Sequence, residues 1–493
     1  MSVITIDAGT TMIKVVGYAA DGREAVVARR PTEVLHPEPG WSEQDMDAVW
    51  DAVASAVAEV VPQLDGDLEA VAVTAQGDGA WLVDDAGRPT GPAVLWNDGR
   101  AADVVSRWQR EGLLDAAFAL NGNLGSSGIG HAVLAWLERH DPDRLAASAT
   151  SLTCGGWIFS CLTGLRVSDT SDASAPFLDL RTLAYSEKLI ALFSMSWARR
   201  LLPRVLADDD RAAPVLDDVA GRLGIPSGVP VVLAPYDIVA TALGSGAVDA
   251  GQACCILGTT LCTEVVVDEL PVGEVATGIT VASGLPGRHV RAFPTLAGGE
   301  VIGWACTLLG LHHPSELGAL ARQAPVGADG LVLLPYLSQA GERAPFQDAA
   351  ARGVLHGLSF AHGPAHVARA VVEGLSLVVR DCLEVCATPV SDLRVCGGGA
   401  VNDVWTQVIA DVTGVPVTRT EDAEVGARGA YLVAARVRGV EAPPVVLGRR
   451  FEPDPRAHDV YDGLYADFVR LREEAAPAWR LLAARRSAER VPA

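Results

Sequence analysis

Two short apolar strands, each running into a Gly-Thr-Thr turn and out along a second apolar strand, stand about 250 residues apart in this chain. The first copy has Val3, Ile4 and Ile6 ahead of Asp7, then Gly9-Thr10-Thr11, then Ile13, Val15 and Val16. The second has Cys254, Cys255, Ile256 and Leu257, then Gly258-Thr259-Thr260, then a return strand over residues 262–267. A repeat at this distance predicts two duplicated domains facing each other, with the two turns across one cleft. A three-residue match also arises by coincidence, so the turns need a chemistry of their own.

The first turn has one. Gly9 lets backbone N–H groups approach an anion with no Cβ in the way. Thr10 and Thr11 add hydroxyl donors, and Lys14 adds a positive charge one turn along. Asp7, facing the same anion, would be repelled unless a divalent cation lay between them. The grouping points to Mg²⁺, bound by Asp7, and the tail phosphates of a nucleotide. A β-hairpin whose polar turn simply faces water accounts for the same residues.

A chain of 493 residues exceeds one compact core, and two domains are expected, residues 1–245 and 246–493. Its 39 basic and 61 acidic residues leave a net charge of −22. That argues against nucleic acid or an anionic membrane surface as partner. It also obliges any ATP site to build its own local field from amide and basic groups. No stretch reaches the ~20 apolar residues that span a bilayer, and a cytoplasmic location is expected. The nine cysteines are odd in number and scattered, with no Cys-x-x-Cys pair. They read as reduced core residues rather than disulfides or metal ligands. His312-His313 reads as a loop feature.

Along the chain, a strand near residues 25–28 precedes a helix over 47–61, whose stripe is Val49, Trp50, Val53, Val57, Val60 and Val61. A strand over 69–74 ends at Gln76-Gly77-Asp78-Gly79. Residues 81–83 and 94–96 read as strands joined by the Asp84-Asp85-Ala86-Gly87 turn. Residues 102–206 are mostly helical, broken at Gly122, Gly125 and Gly128, with a polar loop over 168–172. Residues 208–230, acidic and rich in Pro and Gly, read as a surface connection. A strand at 231–233 then ends near Asp237, where a helix begins. Later, a helix is predicted over 366–386 and a strand over 393–395. The strand ends in Gly397-Gly398-Gly399, with Asn402 or Asp403 capping the next helix. A glycine turn entering a helix N-terminus suits an anion or a nucleotide backbone, though tight packing alone also explains it. Beyond Val440 a packed helix and a frayed tail carrying Arg485, Arg486 and Arg490 are expected.

These pieces, in this order, resemble the FGGY carbohydrate kinases over residues 6–430. The resemblance rests on Asp7-Ala-Gly-Thr-Thr, on Asp237 in Pro-Tyr-Asp-Ile-Val-Ala-Thr-Ala-Leu-Gly, and on Leu257-Gly-Thr-Thr. Two longer runs add to it: Gly341-Glu-Arg-Ala-Pro-Phe-Gln-Asp-Ala-Ala-Ala-Arg-Gly353 and Gly397-Gly-Gly-Ala-Val-Asn-Asp-Val-Trp-Thr-Gln-Val-Ile-Ala-Asp411. The resemblance implies an α/β fold of two duplicated actin- and hexokinase-like (ribonuclease H-like) domains with an interdomain cleft. It implies an ATP- and Mg²⁺-dependent kinase whose catalytic base is Asp237 and whose metal ligand is Asp7. A helix N-cap is the purely structural role for Asp237. Thr10, Thr11 and Lys14 would meet the phosphates from one side, and Gly258, Thr259 and Thr260 from the other. Gly398, Gly399 and Asn402 would line the adenosine.

Gln76-Gly77-Asp78-Gly79 and Trp96-Asn97-Asp98 fall where this family contacts its sugar. The family's D-xylulose kinases typically read Gln-Met-His-Gly at the first place and Asp-Asn where this chain has Asp237-Ile238. Gln-Gly-Asp-Gly looks more like the erythritol kinases, residues 236–243 resemble L-xylulose kinases, and Trp96-Asn-Asp-Gly-Arg100 is xylulokinase-like. Asp78 can accept from vicinal hydroxyls, whereas a histidine can also donate to a carbonyl, which leans toward a polyol. Trp81 and Trp96 are either sugar platforms or buried strand residues. The expected acceptor is a small polyol or ketose phosphorylated on a terminal primary hydroxyl, a tetritol such as erythritol ahead of a xylulose-type pentulose. The other classes that fit are a catalytically silent sugar sensor on the same fold and an actin-like or chaperone-like ATPase. Family members are often dimers, and no interface signature stands out here.

Overall fold

In the computed structural model, which describes residues 2–207, 210–270 and 275–489, the chain forms two compact units interleaved in sequence. The first comprises residues 1–248, 267–290 and 424–445; the second comprises 249–266, 291–423 and 446–493.

The opening hairpin lies inside the first unit's six-stranded sheet. The strand order is Ala212–Pro214, Pro230–Leu233, Leu68–Ala75, Ser2–Ala8, Met12–Tyr18, Glu24–Pro31. Ser2–Ala8 runs antiparallel to Met12–Tyr18 and parallel to Leu68–Ala75, which is parallel to Pro230–Leu233. Ser2–Ala8 is buried along its whole length, as its run of β-branched and small residues requires of a central strand. The Met46–Val60 helix lays Val49, Val53, Val57 and Val60 onto Ile4, Ile6, Val15, Val71 and Val73. On the other elements of this unit, Ala240 and Gly429 bring the Asp237–Gly244 and Val425–Val437 helices together. A Cβ on Gly429 would stand 1.8 Å from the Ala240 carbonyl, so only glycine permits the approach. Residues 267–290 join this unit through Thr280, whose N–H donates to Asn123 Oδ1 at 3.1 Å.

The second unit repeats the pattern. Gln252–Leu257 runs antiparallel to Leu261–Val267 and parallel to Asp392–Cys396. Asp392–Cys396 is parallel to Val417–Thr420, which is antiparallel to Leu447–Phe451. The corresponding five strands of the first unit have the same order and the same directions, with Ala212–Pro214 as the antiparallel last strand. The duplication expected from the two Gly-Thr-Thr turns is therefore present in the sheets themselves. The helices expected over 366–386 and after Asn402 are present as Pro364–Cys386 and Asp403–Thr413, with Leu375, Cys382, Trp405 and Ile409 buried. The Pro455–Glu489 helix packs on this unit through Tyr461, whose hydroxyl accepts from Arg369 at 2.6 Å and donates to Glu373 at 2.7 Å.

Several local expectations need correcting. Trp81–Val83 pairs with Thr150–Leu152, and Ala93–Val94 with Glu43–Gln44; Ala80, just ahead of the first of these strands, bridges Val94. The Asp84 turn folds back to Pro89 instead. Residues 168–172 are no loop: Asp169 caps a short buried helix, Thr170–Ser174, by accepting from Ser171 and Asp172 N–H. Within 208–230 lie the Ala212–Pro214 strand and the Asp217–Leu223 helix, while Asp208 and Asp209 fall outside the described residues. Leu447–Phe451 is a strand that the sequence reading missed. Arg490 also lies outside the described residues. Eight of the nine cysteines are buried, the placement read for them as core residues. Among the described residues no helix is long and apolar enough to cross a membrane.

Candidate active site

Asp7 closes the first strand of the first unit, directly across the hairpin from Lys14. Lys14 is therefore a cross-strand partner rather than a charge one turn along. Its Nζ lies 3.8 Å from Asp7 Oδ2 and 2.9 Å from Glu424 Oε2. Burial works against the Lys14 charge, yet Asp7 and Glu424 outweigh it and hold the ammonium above its ordinary pKa. Burial raises the pKa of Asp7; Lys14 opposes that rise and Glu424 adds to it. The first turn of the Val425–Val437 helix comes against this carboxylate, since a Cβ on Gly426 would stand 3.1 Å from Asp7 Oδ2. Glu424 and Gly426 are site neighbours that the sequence reading missed, because more than 400 positions separate them from Asp7.

The hairpin turn is tied to the expected acceptor loops. Gly9 N–H closes it on the Met12 carbonyl at 3.1 Å. The Thr10 hydroxyl donates to Gln76 Oε1 at 2.8 Å and accepts from Trp96 Nε1 at 2.8 Å. Gln76 Nε2 donates to Gln44 Oε1, and Gln44 Nε2 returns to the Thr10 carbonyl, each at 2.8 Å. Thr10 and Gln76 thus spend their side chains inside the protein. A ligand reaching this turn meets its main chain and the exposed Thr11.

Asp237 is the first residue of the Asp237–Gly244 helix. It is not the cap, which is Tyr236; its Oδ1 accepts from the Ile238 N–H at 2.8 Å. Burial raises its pKa to about 7, with Asp7 and Asp78 adding to the rise and Ile238 N–H and Lys14 opposing it. A carboxylate poised there suits a general base at neutral pH. Asp78 holds a left-handed backbone, φ +56°, between two glycines, and is half-buried. Gly77 is required beside it: a Cβ there would lie 2.5 Å from the Tyr236 ring. Trp96 is half-buried with its indole nitrogen on Thr10. Asp98 faces inward. Fully buried, it accepts from Ser42 N–H at 2.6 Å, from Arg100 N–H at 2.8 Å, and from Arg100 Nε and Nη2, both at 2.9 Å. Asp98 therefore braces Arg100 and Ser42, with both carboxylate oxygens engaged inside the protein. The structure brings Asp7 and Asp78 within electrostatic reach of Asp237, and Asp78 and Asp237 within reach of Asp172, which the sequence reading passed over inside the 168–172 stretch.

The second unit holds its own pocket, of about 730 Å³, a size usual for a nucleotide-sized ligand. Gly258, Thr259, Gly398, Gly399 and Asn402 line it, and Thr260 does not. Asn402 caps the Asp403–Thr413 helix, its Oδ1 accepting from Val404 and Trp405 N–H at 3.1 and 3.3 Å. A Cβ on Gly399 would stand 2.5 Å from the Trp405 ring, whereas Gly398 opens onto empty space. Glu300 and His313 also line the pocket. They were missed, although Gly298-Gly299 ahead of a helix is a readable signal: Gly299 N–H donates to the Gly258 carbonyl at 2.8 Å and fixes the turn.

Among the described residues no group of three or more His, Cys, Asp or Glu side chains is arranged to hold a metal. Asp7 alone fits the way Mg²⁺ is usually held in phosphoryl transfer, by one or two carboxylates plus substrate phosphates rather than by an all-protein cage.

Profiles of the FGGY family of carbohydrate kinases match this chain twice, the N-terminal domain over residues 2–244 and the C-terminal domain over residues 253–437. The chain is 31% identical to the erythritol kinase of Brucella abortus, covering 98% of each protein. It is also 31% identical to the xylulose kinase of Escherichia coli, over 96% of this chain and 99% of that one. A crystal structure of xylulose kinase from Rhodospirillum rubrum matches with a TM-score of 0.88 at 30% identity, covering 97% of this chain and 100% of that one.

Proposed function

We propose, from the premise that this chain belongs to the FGGY family of carbohydrate kinases and is an ATP-dependent sugar kinase, that its acceptor is a short polyol of the tetritol type. The reacting group is a terminal primary hydroxyl. One observation carries the reading: Asp237, its pKa near 7, feels both Asp7 and Asp78. Asp78 supplies an acceptor-only carboxylate, suited to vicinal hydroxyls and unable to donate to a ketose carbonyl when ionised. The likeness to an erythritol kinase supports the same choice. A xylulose-type ketose is the second reading, favoured by the 31% identity to a xylulose kinase.

Asp237 accepts the proton of the attacking hydroxyl, a contribution of ~10²–10⁴ in rate. Asp7 would hold Mg²⁺, whose chemistry when bound is to neutralise charge on the transferring phosphoryl group. The Gly9 turn, Thr11 and Lys14 would meet phosphate oxygens. In the second domain Gly258, Thr259 and Thr260 would do the same, and Gly398, Gly399 and Asn402 would line the nucleoside. Thr10, Gln76 and Gly77 act as the frame behind Asp78 and Trp96. An ADP-release assay across tetritols, pentitols, glycerol and ketoses tests the acceptor. A tetritol should give the highest kcat/KM, and a ketose ahead of every polyol by about tenfold would reject the polyol reading.

A further inference from the structure

Beside the Asp78 turn, within the first unit, lies a cavity of about 60 Å³ lined by Asp78, His131, Thr153, Asp172, Phe177 and Tyr185 among others. Two of these side chains have unspent hydrogen-bonding capacity. Asp172 Oδ1 and His131 Nδ1 are buried with no hydrogen-bond partner among the described residues. Asp172 is 8% exposed and His131 2% exposed, so bulk water is no ready substitute. Buried polar atoms are ordinarily paired, and an unpaired one calls for a reason.

The fold does not supply that reason. Asp169, not Asp172, caps the Thr170–Ser174 helix. Asp172 is anchored through its other oxygen, which accepts from the Thr153 hydroxyl at 2.8 Å. The His131 ring is fixed by stacking on Trp108 at 4.8 Å between ring centres and by the edges of Phe177 and Phe193. Both side chains are thus held in place by contacts that leave Oδ1 and Nδ1 unspent. Burial pushes the Asp172 carboxyl well above the usual carboxylate range, with Asp169, Asp78 and Asp237 adding to the rise and Thr153 opposing it. Burial also holds His131 neutral, its pKa down at about 3. Burial disfavours the charged form of both side chains, and an uncharged carboxyl or imidazole can donate or accept, which matches a hydroxyl group better than a phosphate or carboxylate.

We propose that Asp172 and His131 form the specificity-determining end of the acceptor site, receiving the hydroxyl-bearing carbon farthest from the reacting hydroxyl. This rests on the acceptor reading above and deepens it. The cavity is several times what one water needs, and it admits the end of a short chain but not a further sugar unit. Chain length would then be measured between Asp237 at the reacting end and Asp172 at the far end.

The test uses whichever acceptor the wild type phosphorylates best, alongside the same acceptor lacking its far hydroxyl. Wild type should lose about tenfold or more in kcat/KM on the deoxy compound. Asp172→Ala should show a loss of similar size on the intact acceptor, carried by acceptor KM, and should no longer distinguish the two compounds. Its KM for ATP should stay within about twofold, which a general loss of structure would not allow. Asp172→Asn, equal in size, should fall between, and it decides the matter if the alanine variant does not fold. The proposal is overturned if wild type is indifferent to the far hydroxyl, or if Asp172→Ala still discriminates. Should the best acceptor prove to be a ketose, the polyol reading falls while this comparison still decides the role of Asp172.

Discussion

The indole Nε1 of Trp96 donates across 2.8 Å to the hydroxyl of Thr10. That bond, with the Thr10 donation to Gln76, ties the turn expected to face phosphate to the loops expected to face the acceptor. Thr10→Val keeps the side chain's shape and removes both bonds, leaving Gln76 Oε1 and the indole N–H without their partner. The expected loss is about 2–4 kcal/mol of stability, measured by urea denaturation, because each stranded polar group costs ~1–3 kcal/mol. Acceptor KM should rise as Trp96 loses its anchor. A Thr10→Ser variant, which restores the hydroxyl, should recover most of both. If Thr10→Val left stability within about 0.5 kcal/mol of wild type, the bonding frame would carry no weight.

The proposed base role of Asp237 predicts a pH dependence of turnover. The base must be ionised, so kcat/KM should fall as pH drops through about 7. Asp78 is one cause of that raised pKa, so Asp78→Asn should move the acid limb to lower pH even as acceptor binding weakens. Asp237→Asn should lose ~10²–10⁴ in kcat and flatten the limb, with acceptor binding by calorimetry retained. An Asp237→Asn enzyme that turns over near the wild-type rate would remove the base assignment.

Asp98 should behave differently from Asp78 although both sit in loops read as acceptor contacts. Its carboxylate is consumed by Arg100 and Ser42, and Arg100 lies 4.0 Å over the Trp41 ring. Removing one partner of a buried pair strands the other, at about 3–5 kcal/mol. The expected cost of Asp98→Ala lies near 3 kcal/mol, because Glu43 still accepts from Arg100 at 2.7 Å. Enzyme that remains folded should keep its acceptor KM within about twofold. A large KM change with unaltered stability would return Asp98 to the acceptor site.

The contrast between these aspartates shows what the sequence could convey. The two hairpins were legible because β-branched strands around Gly-Thr-Thr leave few alternatives, and the Asn402 cap because an Asn ahead of an apolar stripe has a local mechanism. Asp237 was legible only through its motif. Asp98 and Gln76 look like ligand contacts in one dimension, yet their partners, Ser42 and Gln44, come from a distant segment that no local pattern announces. Asp172 and His131 lie in elements that read as loop and as ordinary core helix. Their unspent atoms are visible only once Thr153 and Trp108 are seen to hold them. The Gly341–Gly353 run, among the strongest family signals, proves to be a clasp: Glu342 Oε1 accepts from Leu296 and Arg343 N–H, each at 2.9 Å, and Arg343 Nε donates to the Pro294 carbonyl at 2.8 Å.

That clasp carries the last prediction. Burial raises the pKa of Glu342 from 4.5 to about 7, with the N–H groups of Arg343, Leu296 and Ala344 and the Arg343 charge opposing the rise. The folded state therefore holds a proton on Glu342 between these two values that the unfolded chain has already released. Stability from this group is fully present below pH 4.5 and declines as pH rises through about 7. Integrated over the shift, the decline is on the order of 3 kcal/mol. Glu342→Gln keeps a carbonyl oxygen for the N–H donors and cannot ionise, so it removes this slope and no other. Stability should be followed by urea denaturation of both proteins from pH 5 to pH 8. The wild type should lose ground to Glu342→Gln as pH rises to about 7 and then level off, while acceptor KM stays the same in the two. Parallel curves would show that Glu342 stays ionised in the folded protein, held by its three N–H donors more strongly than burial opposes them.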